Sequence, residues 1–111
     1  MLKSTDREQD RHNSQLLTER LKAERVQLRM AALPGWKLSS SGERITRRFR
    51  FASPESAASF AGLVFGLSNG RGHYPELRVH RERMFLALTT RDATGLTERD
   101  FELAEAISRE L

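Results

Sequence analysis

The stretch Ile45–Phe51, "ITRRFRF", is the segment that decides the fold of this chain. Isoleucine, arginine and two phenylalanines occupy its odd-numbered positions, and threonine and two arginines occupy the even-numbered ones. Because successive side chains of a strand point to opposite faces, this alternation predicts a strand with one mostly apolar face and one cationic face. The apolar face needs a covering layer, which the neighbouring segments supply as helices.

The segments before this strand predict a helix, a short strand and a turn. From about Ser14 to Ala32, apolar residues punctuate a charged background, which is typical of an amphipathic helix that a Pro-Gly pair then ends. Trp36 to Leu38 predicts a short strand, and the "SSSGE" run after it predicts a turn. Residues 1–13 are polar and are expected to form a flexible segment, so residues 14–111 are expected to form one domain.

A second helix follows the strand. Ser53 is a suitable N-cap, Pro54 suits the first helical position, and Asn69-Gly70 is expected to end the helix. The residues expected to face the sheet are Ala57, Phe60, Ala61, Val64 and Leu67. Gly62 and Gly66 form a notch of small residues on another side, which either is simple tolerance of glycine or marks the close approach of a second helix in an oligomer.

The last third of the chain predicts a hairpin and a helix. Leu77–Arg81 and Met84–Thr90 are the predicted strands, joined by a turn at Glu82-Arg83. Thr97 and Asp100 resemble a capping box that starts the last helix. The buried side of that helix is expected to use Leu96, Phe101, Ala104, Ile107 and Leu111. The predicted fold is therefore α+β, in the order α-β-β-α-β-β-α, with a four-stranded antiparallel sheet and helices packed on one face.

Charge is distributed unevenly along the chain. The net charge is +4, but residues 34–91 carry ten Lys or Arg and four Asp or Glu, whereas residues 92–111 carry two and six. Such a distribution can steer an acidic protein or RNA toward the middle of the chain, although a solvated arginine-rich surface gives the same pattern.

Composition excludes several classes of site. The absence of cysteine excludes disulfides and thiolate metal sites. His73 and His80 lack the spacing of a compact metal pair, so we expect neither a metal ion nor another cofactor. No apolar run approaches the roughly 20 residues that span a bilayer, and the first residues lack the apolar core of a secretory signal. We therefore expect a cytoplasmic protein with no membrane partner.

Five motifs, in this order and spacing, resemble the pterin-4a-carbinolamine dehydratase family. They are "GWKL" (Gly35–Leu38), "ITRRFRF" (Ile45–Phe51), "HYPEL" (His73–Leu77), "LTTRD" (Leu88–Asp92) and "GLTERDFELAEAI" (Gly95–Ile107). The resemblance runs from about Leu28 to Ile107 and implies the fold described above. For the active enzymes of the family it also implies dehydration of a 4a-hydroxylated tetrahydropterin without a metal ion.

The chain departs from the family pattern at the catalytic positions. The family has two histidines before "PE" and a third after the "TT" of the next strand; these positions are His73, Tyr74 and Arg91 here. The acidic residue four positions before the pair is Asn69, and the family's glycine pair is Thr94-Gly95. The matching positions around them are Pro75, Glu76 and Asp92.

These substitutions affect proton transfer. Dehydration needs an acid to protonate the leaving hydroxide and a base to accept the amine proton. Histidine can do either at neutral pH, whereas tyrosine titrates near 10 and arginine above about 12. We therefore expect no efficient catalytic residues here. The alternative is an active 4a-hydroxytetrahydropterin dehydratase that uses His73, helped by Tyr74.

The resemblance is closer to a non-catalytic branch of the family, the RuBisCO assembly factor of bacterial α-carboxysomes. It implies a chaperone, located in the cytoplasm or with the carboxysome, that binds RuBisCO subunits or another acidic protein surface. The expected protein-binding residues are Arg48, Arg50 and Arg78, and the expected interface of a homodimer is at Gly62 and Gly66. A nucleic-acid-binding module is a third hypothesis, which the shortage of aromatic residues for base stacking disfavours.

Overall fold

A computed structural model describes residues 18–111, in which three α-helices are arranged with a four-stranded antiparallel sheet. The elements are α1 (Ala23–Ala31), β1 (Lys37–Leu38), β2 (Ile45–Arg50), α2 (Pro54–Arg71), β3 (Glu76–His80), β4 (Arg83–Leu88), a 3₁₀ turn (Arg91–Ala93) and α3 (Glu98–Arg109). This order confirms the predicted α+β fold. The predicted flexible segment, residues 1–13, lies outside the described residues.

The sheet has the strand order β1-β2-β4-β3, and all neighbouring strands are antiparallel. Along β2 and β4 the register runs from Ile45 opposite Leu88 to Arg50 opposite Arg83. The strand predicted from "ITRRFRF" therefore lies in the interior of the sheet. Its long pairing with β4 fixes which side chains share each face.

One face of the sheet is buried under α2 and α3. Ile45, Leu86 and Leu88 have no exposed surface, and they join Phe101 and Leu103 of α3 in the core. Burial of one side chain of this size stabilises the fold by about 1.5–3 kcal/mol. The other face of the sheet is left open to solvent along its middle strands.

The predicted inward face of α2 is confirmed. Ala57 and Val64 are fully buried, and Phe60, Ala61 and Leu67 pack against the core. The Phe60 ring lies 5.6 Å from the Phe49 ring and 5.3 Å from the Phe51 ring, measured between centroids. These aromatic contacts attach the middle of α2 to the end of β2.

The predicted start of α1 and the predicted end of α2 need correction, whereas the predicted start of α2, with Ser53 as N-cap, is confirmed. α1 begins at Ala23, because the Leu21 backbone N–H donates to the Leu96 carbonyl at 2.8 Å and holds the preceding segment out of the helix. Of the predicted span, residues 14–17 lie outside the described residues. α2 continues past Asn69-Gly70 to Arg71, because Gly72 provides the left-handed conformation, with φ of 61°, that ends it.

The hairpin and the C-terminal residue also differ from the prediction. The turn lies at Arg81-Glu82, one residue earlier than predicted, and β4 ends at Leu88. Two-residue hairpin turns favour positive φ, which Arg81 adopts at 56° although arginine gives no sequence signal for it. Leu111 was expected to be buried but is exposed, because α3 ends at Arg109.

Candidate functional site

Three of the five motifs, those that begin at His73, Leu88 and Gly95, contribute side chains to one cleft. The loop between α2 and β3 forms one side, and the segment after β4 forms the other, enclosing a volume of about 880 Å³. The predicted positions that line it are His73, Tyr74, Pro75, Glu76, Arg91 and Asp92. The structure therefore brings together all six positions that the family resemblance assigns to the active site, although two segments of the chain supply them.

His73 is attached to the core by a buried carboxylate. Its Nε2 lies 2.6 Å from Asp100 Oδ1, and Asp100 has no exposed surface. Gly72 ends α2 directly before His73, whose backbone N–H donates to the Ser68 carbonyl at 3.2 Å. The imidazole is thus fixed from the loop on one side and from the first turn of α3 on the other.

Asp100 belongs to a small buried network. The Thr90 hydroxyl donates to Asp100 Oδ2 at 2.7 Å, and the Thr97 backbone N–H donates to the same oxygen at 3.0 Å. This second contact belongs to the capping box predicted at Thr97, which is present. The sequence identified Asp100 only as a helix cap. Its contact with His73, 27 residues away in the chain, gave no signal in the sequence.

Two of the substituted positions contact each other. The Tyr74 hydroxyl donates a hydrogen bond to the Asn69 side-chain carbonyl across the last turn of α2. Tyr74 is 54% exposed, so its ring stands at the mouth of the cleft. The hydroxyl is therefore directed along the loop toward Asn69 and is occupied as a donor there.

Glu76 is held between two arginines. Arg44 on one side forms an ion pair with Oε2, and Arg78 Nη2 lies 2.7 Å from Oε1. The hydrogen bond from Arg78, together with that from Arg44, lowers the pKa of the Glu76 carboxyl. Glu76 therefore stays ionised at neutral pH and is unsuited to donate a proton.

Arg91 lies in the 3₁₀ turn at the opposite wall. It is exposed and forms no ion pair with the described residues. Arg99 also lines the cleft, and its Nη2 donates to the Arg71 carbonyl at 3.3 Å. The wall that carries a histidine in the family pattern thus presents a permanent positive charge here.

The predicted binding arginines lie on the open face of the sheet, where Arg78 contacts Glu76 at the edge of the cleft. Arg48 and Arg50 of β2 and Arg78 of β3 are all exposed. Arg48 and Arg78 lie on either side of Phe85 in β4, in the same register row. We call this face the arginine face, formed by Arg48, Arg50, Arg78, His80, Arg83 and Phe85. Arg83 was missed because the predicted turn included it, and Phe85 was missed because a phenylalanine in a strand is ordinarily expected on the buried face.

Gly62 and Gly66 lie on the exposed side of α2. A Cβ atom at either position would meet no atom within 4 Å. Leu63 and Phe65 lie beside them and are 39% and 55% exposed. α2 therefore presents an apolar outer face as well as an apolar inner face.

Residues 18–111 contain neither a candidate metal site nor a helix that could span a membrane. No group of three or more His, Asp or Glu side chains in this range is placed to hold a metal ion. Within the same range, no helix has the length and apolar character that crossing a membrane requires.

Comparisons with known proteins agree with the fold. The model of the pterin 4 alpha carbinolamine dehydratase family matches residues 19–110. A Chloroflexus aggregans protein named as a candidate pterin-4-alpha-carbinolamine dehydratase is 41% identical over 88 residues, which cover 79% of this chain and 93% of that protein. A Thermosynechococcus vestitus protein of the same name is 33% identical over 92 residues, covering 83% and 95%.

A solved structure is also similar. It is the crystal structure of a Brucella melitensis protein described as a transcriptional coactivator/pterin dehydratase, with a TM-score of 0.79 and 27% sequence identity. The match covers 82% of this chain and 97% of that one. Family match, sequence identity and fold agree, and this chain belongs to the pterin-4a-carbinolamine dehydratase family.

Proposed function

We propose that this protein is a catalytically impaired member of the family and acts as an assembly chaperone for RuBisCO in carboxysome-containing bacteria. The observation that carries the proposal is the state of the three proton-transfer positions. Two of these positions have no histidine: the Tyr74 hydroxyl is occupied by Asn69, and Arg91 stands at the third position, which leaves His73 alone.

The chemistry of the cleft supports the loss of efficient catalysis. A positioned acid or base contributes about 10²–10⁴-fold to a rate, and dehydration uses both. Arginine stays protonated at any physiological pH, so Arg91 neither accepts nor donates a proton. Glu76 cannot replace the missing acid, because Arg78 and Arg44 lower its pKa.

The arginine face supports a protein-binding role. Arg48 and Arg50 form no ion pair within residues 18–111, so their charges are available to a partner. Positive surfaces of this kind accelerate encounter with an acidic partner and permit rapid release, which a chaperone requires. In this proposal the partner is an acidic surface of unassembled RuBisCO subunits. The protein acts as a symmetric homodimer joined through the outer face of α2.

Co-expression tests this function. RuBisCO subunits from a carboxysome-containing bacterium are expressed with the wild-type protein, with the Arg48→Glu/Arg50→Glu variant, and alone. We expect the yield of soluble assembled RuBisCO to fall without the protein and with the charge-reversed variant. A variant reversed on the helical layer, Arg109→Glu, serves as the control and retains the yield. Equal yields with and without the protein refute the proposal.

A second function is favoured by one observation, the contact between His73 and Asp100. A buried carboxylate orients an imidazole, which is the arrangement of a general acid or base. In this alternative the protein is a 4a-hydroxytetrahydropterin dehydratase that depends on His73.

Turnover of a 4a-hydroxytetrahydropterin separates the two functions. We expect the wild-type protein to be slower by about 10²-fold or more than a relative that has all three histidines. The Tyr74→His/Arg91→His variant is expected to recover part of that difference. Wild-type turnover at the rate of the complete relative, abolished by His73→Ala, favours the enzyme instead.

A further inference from the structure

The arginine face contains a row of residues in which two like charges, those of Arg50 and Arg83, are not neutralised by the fold. Arg50 of β2 and His80 of β3 both lie directly opposite Arg83 of β4. Like charges placed directly opposite each other in a sheet are destabilising. No carboxylate of residues 18–111 forms an ion pair with Arg50 or Arg83. This row is therefore an unfavourable arrangement in the free protein, and an anionic partner would relieve it.

The neighbouring row adds an apolar centre. Phe85 is half-buried, with Arg48 opposite it on one side and Arg78 on the other. The Arg48 guanidinium lies 5.0 Å from the centroid of the Phe85 ring. Within the described residues, the two rows together offer an aromatic ring in the middle and unpaired cations on β2 and β4, whereas Arg78 on the β3 border is already paired with Glu76.

The shape of this region is a shallow groove of about 440 Å³ along β4. Its borders are side chains of β2 and β3, which lie two strand spacings apart, or about 9–10 Å. An α-helix with its side chains is about 10–12 Å wide and would rest on the borders without reaching Phe85. An extended segment is narrower and reaches the floor of the groove.

We propose that the groove binds an extended acidic segment of the partner, with carboxylates at alternate positions and one apolar side chain against Phe85. The inference rests on the proposed function and specifies what the arginine face recognises. Alternate residues of an extended chain repeat every 6.6–6.8 Å or so, and Arg48 and Arg50 have this same spacing on β2. Carboxylates at every second position therefore meet the arginines of one border in register.

Single-stranded nucleic acid fits this groove less well. Sequence-tolerant binding of single strands uses aromatic side chains on which successive bases stack. Phe85 is the one aromatic residue on the arginine face as defined, and the Arg48 guanidinium already lies beside its ring. The carboxylates of an acidic peptide require only arginine partners, and its single apolar side chain requires only the Phe85 ring.

Fluorescence anisotropy tests the proposal with a short fluorescein-labelled peptide that has glutamate at every second position and one central leucine. We expect the wild-type protein to bind it and Arg83→Gln to weaken binding about tenfold, the change expected for losing one well-placed charge contact. Arg109→Gln removes the same charge from the helical layer and leaves binding unchanged. Equal weakening by both variants contradicts a localised site.

Two further measurements sharpen the test. Leucine to serine in the peptide and Phe85→Ala in the protein are each expected to weaken binding, and the double change to add little. Additive effects contradict contact between the two. Arg83→Gln is also expected to raise the thermal midpoint, since it relieves the repulsion, so that its loss of binding is not loss of fold. A labelled RNA strand that binds more tightly than the peptide overturns the choice of ligand.

Failure of this inference and failure of the proposed function give different results. If Arg83→Gln loses the peptide while RuBisCO yield is independent of the protein, the groove is supported and the chaperone role is refuted. If the yield depends on the protein but Arg83→Gln sustains it fully, the chaperone role stands and the groove is refuted.

Discussion

Asp100 links the candidate site to the core of the protein. This carboxylate is completely buried and accepts hydrogen bonds from Thr90 and from the Thr97 backbone, while its other oxygen faces His73. A buried carboxylate is tolerated when its oxygens are hydrogen-bonded in this way. Asp100 therefore holds the cleft loop in place, and it does so whether or not His73 retains a catalytic function.

Substitution of Asp100 tests this positioning role. Asp100→Asn removes the negative charge to which the Thr90 hydroxyl and the Thr97 backbone N–H donate and replaces one acceptor oxygen with an amide donor, so we expect the free energy of unfolding to fall by about 2–4 kcal/mol. Urea unfolding measures the change. Asp92→Asn is the matched control at an exposed position of the same cleft, where we expect less than about 0.5 kcal/mol. Equal effects of the two variants contradict the buried network.

The Glu76 carboxylate predicts a pH dependence. Hydrogen bonds from Arg78 and then from Arg44 lower the pKa of the Glu76 carboxyl in the folded protein. The ionised carboxylate therefore stabilises the fold at pH values above its pKa in the unfolded chain. That stabilisation is lost as the pH falls through the pKa of Glu76 in the folded protein, which lies below the ordinary glutamate value of about 4.3. The urea midpoint of wild type is expected to exceed that of Glu76→Gln at neutral pH, and the gap to close in acid. Glu102→Gln, on the outer face of α3, controls for general loss of a carboxylate. If the difference between the urea midpoints of wild type and Glu76→Gln does not change with pH, the contact of Glu76 with Arg78 and Arg44 is contradicted.

At the scale of the elements, α2 has two functions in the fold. Its inner face packs on the sheet through Ala57 and Val64, and its C-terminal cap at Gly72 sets the direction in which the cleft loop leaves. The glycines on its outer face have no structural need for glycine within the described chain, since a Cβ would fit at both. Their placement beside exposed apolar side chains favours a helix-to-helix contact between copies.

Two glycine substitutions separate these functions. Gly72→Ala places a side chain at φ of 61°, and we expect it to destabilise the fold by about 1–2 kcal/mol. Gly62→Ala is expected to stabilise the helix by about 0.5–1 kcal/mol, because it improves helix propensity without a clash. We also expect Gly62→Ala to weaken self-association. Thermal unfolding measures the stability changes of both variants, and sedimentation equilibrium measures the self-association of Gly62→Ala. Unchanged self-association would show that Gly62 is not in the interface.

At the scale of the whole molecule, apolar and cationic surfaces are separated on two sides. The helical layer carries the exposed apolar residues Leu63 and Phe65, and the opposite side of the sheet carries the arginine face. A dimer formed through the helical layer leaves both arginine faces accessible. Each copy then presents a binding surface, and two weak contacts act together on a partner with repeated subunits.

Phe65→Glu tests this arrangement. A carboxylate in an apolar interface is costly, so we expect the variant to be monomeric at concentrations where the wild type is a dimer. Sedimentation equilibrium measures the mass of each. Leu28→Glu, at a position that is 66% exposed on α1, is the control and is expected to remain a dimer. Loss of association in both variants, or in neither, contradicts an interface on the outer face of α2.

The sequence by itself determined the elements and the two faces of the sheet. The alternation of Ile45–Phe51 separates apolar from cationic side chains because a strand has a period of two, and this needs no knowledge of the neighbours. The helix caps at Ser53 and Thr97 also depend on nearby residues alone, because each cap is a hydrogen bond to the first turn of its helix. The cleft positions were accessible through their resemblance to a family.

The tertiary structure alone decided which distant residues meet. The contact of His73 with Asp100 depends on how α3 docks against the loop, and the pairing of Arg50 with Arg83 depends on the register between strands. The pairing of His80 with Arg83 in the β3–β4 hairpin accompanies a left-handed Arg81 in the turn, which local sequence preferences do not indicate. Local sequence preferences determine whether each segment forms a helix, a strand or a turn. The burial of shared surfaces determines which segments pack against each other. The residues of the proposed site come from different segments, so only the tertiary structure brings them together.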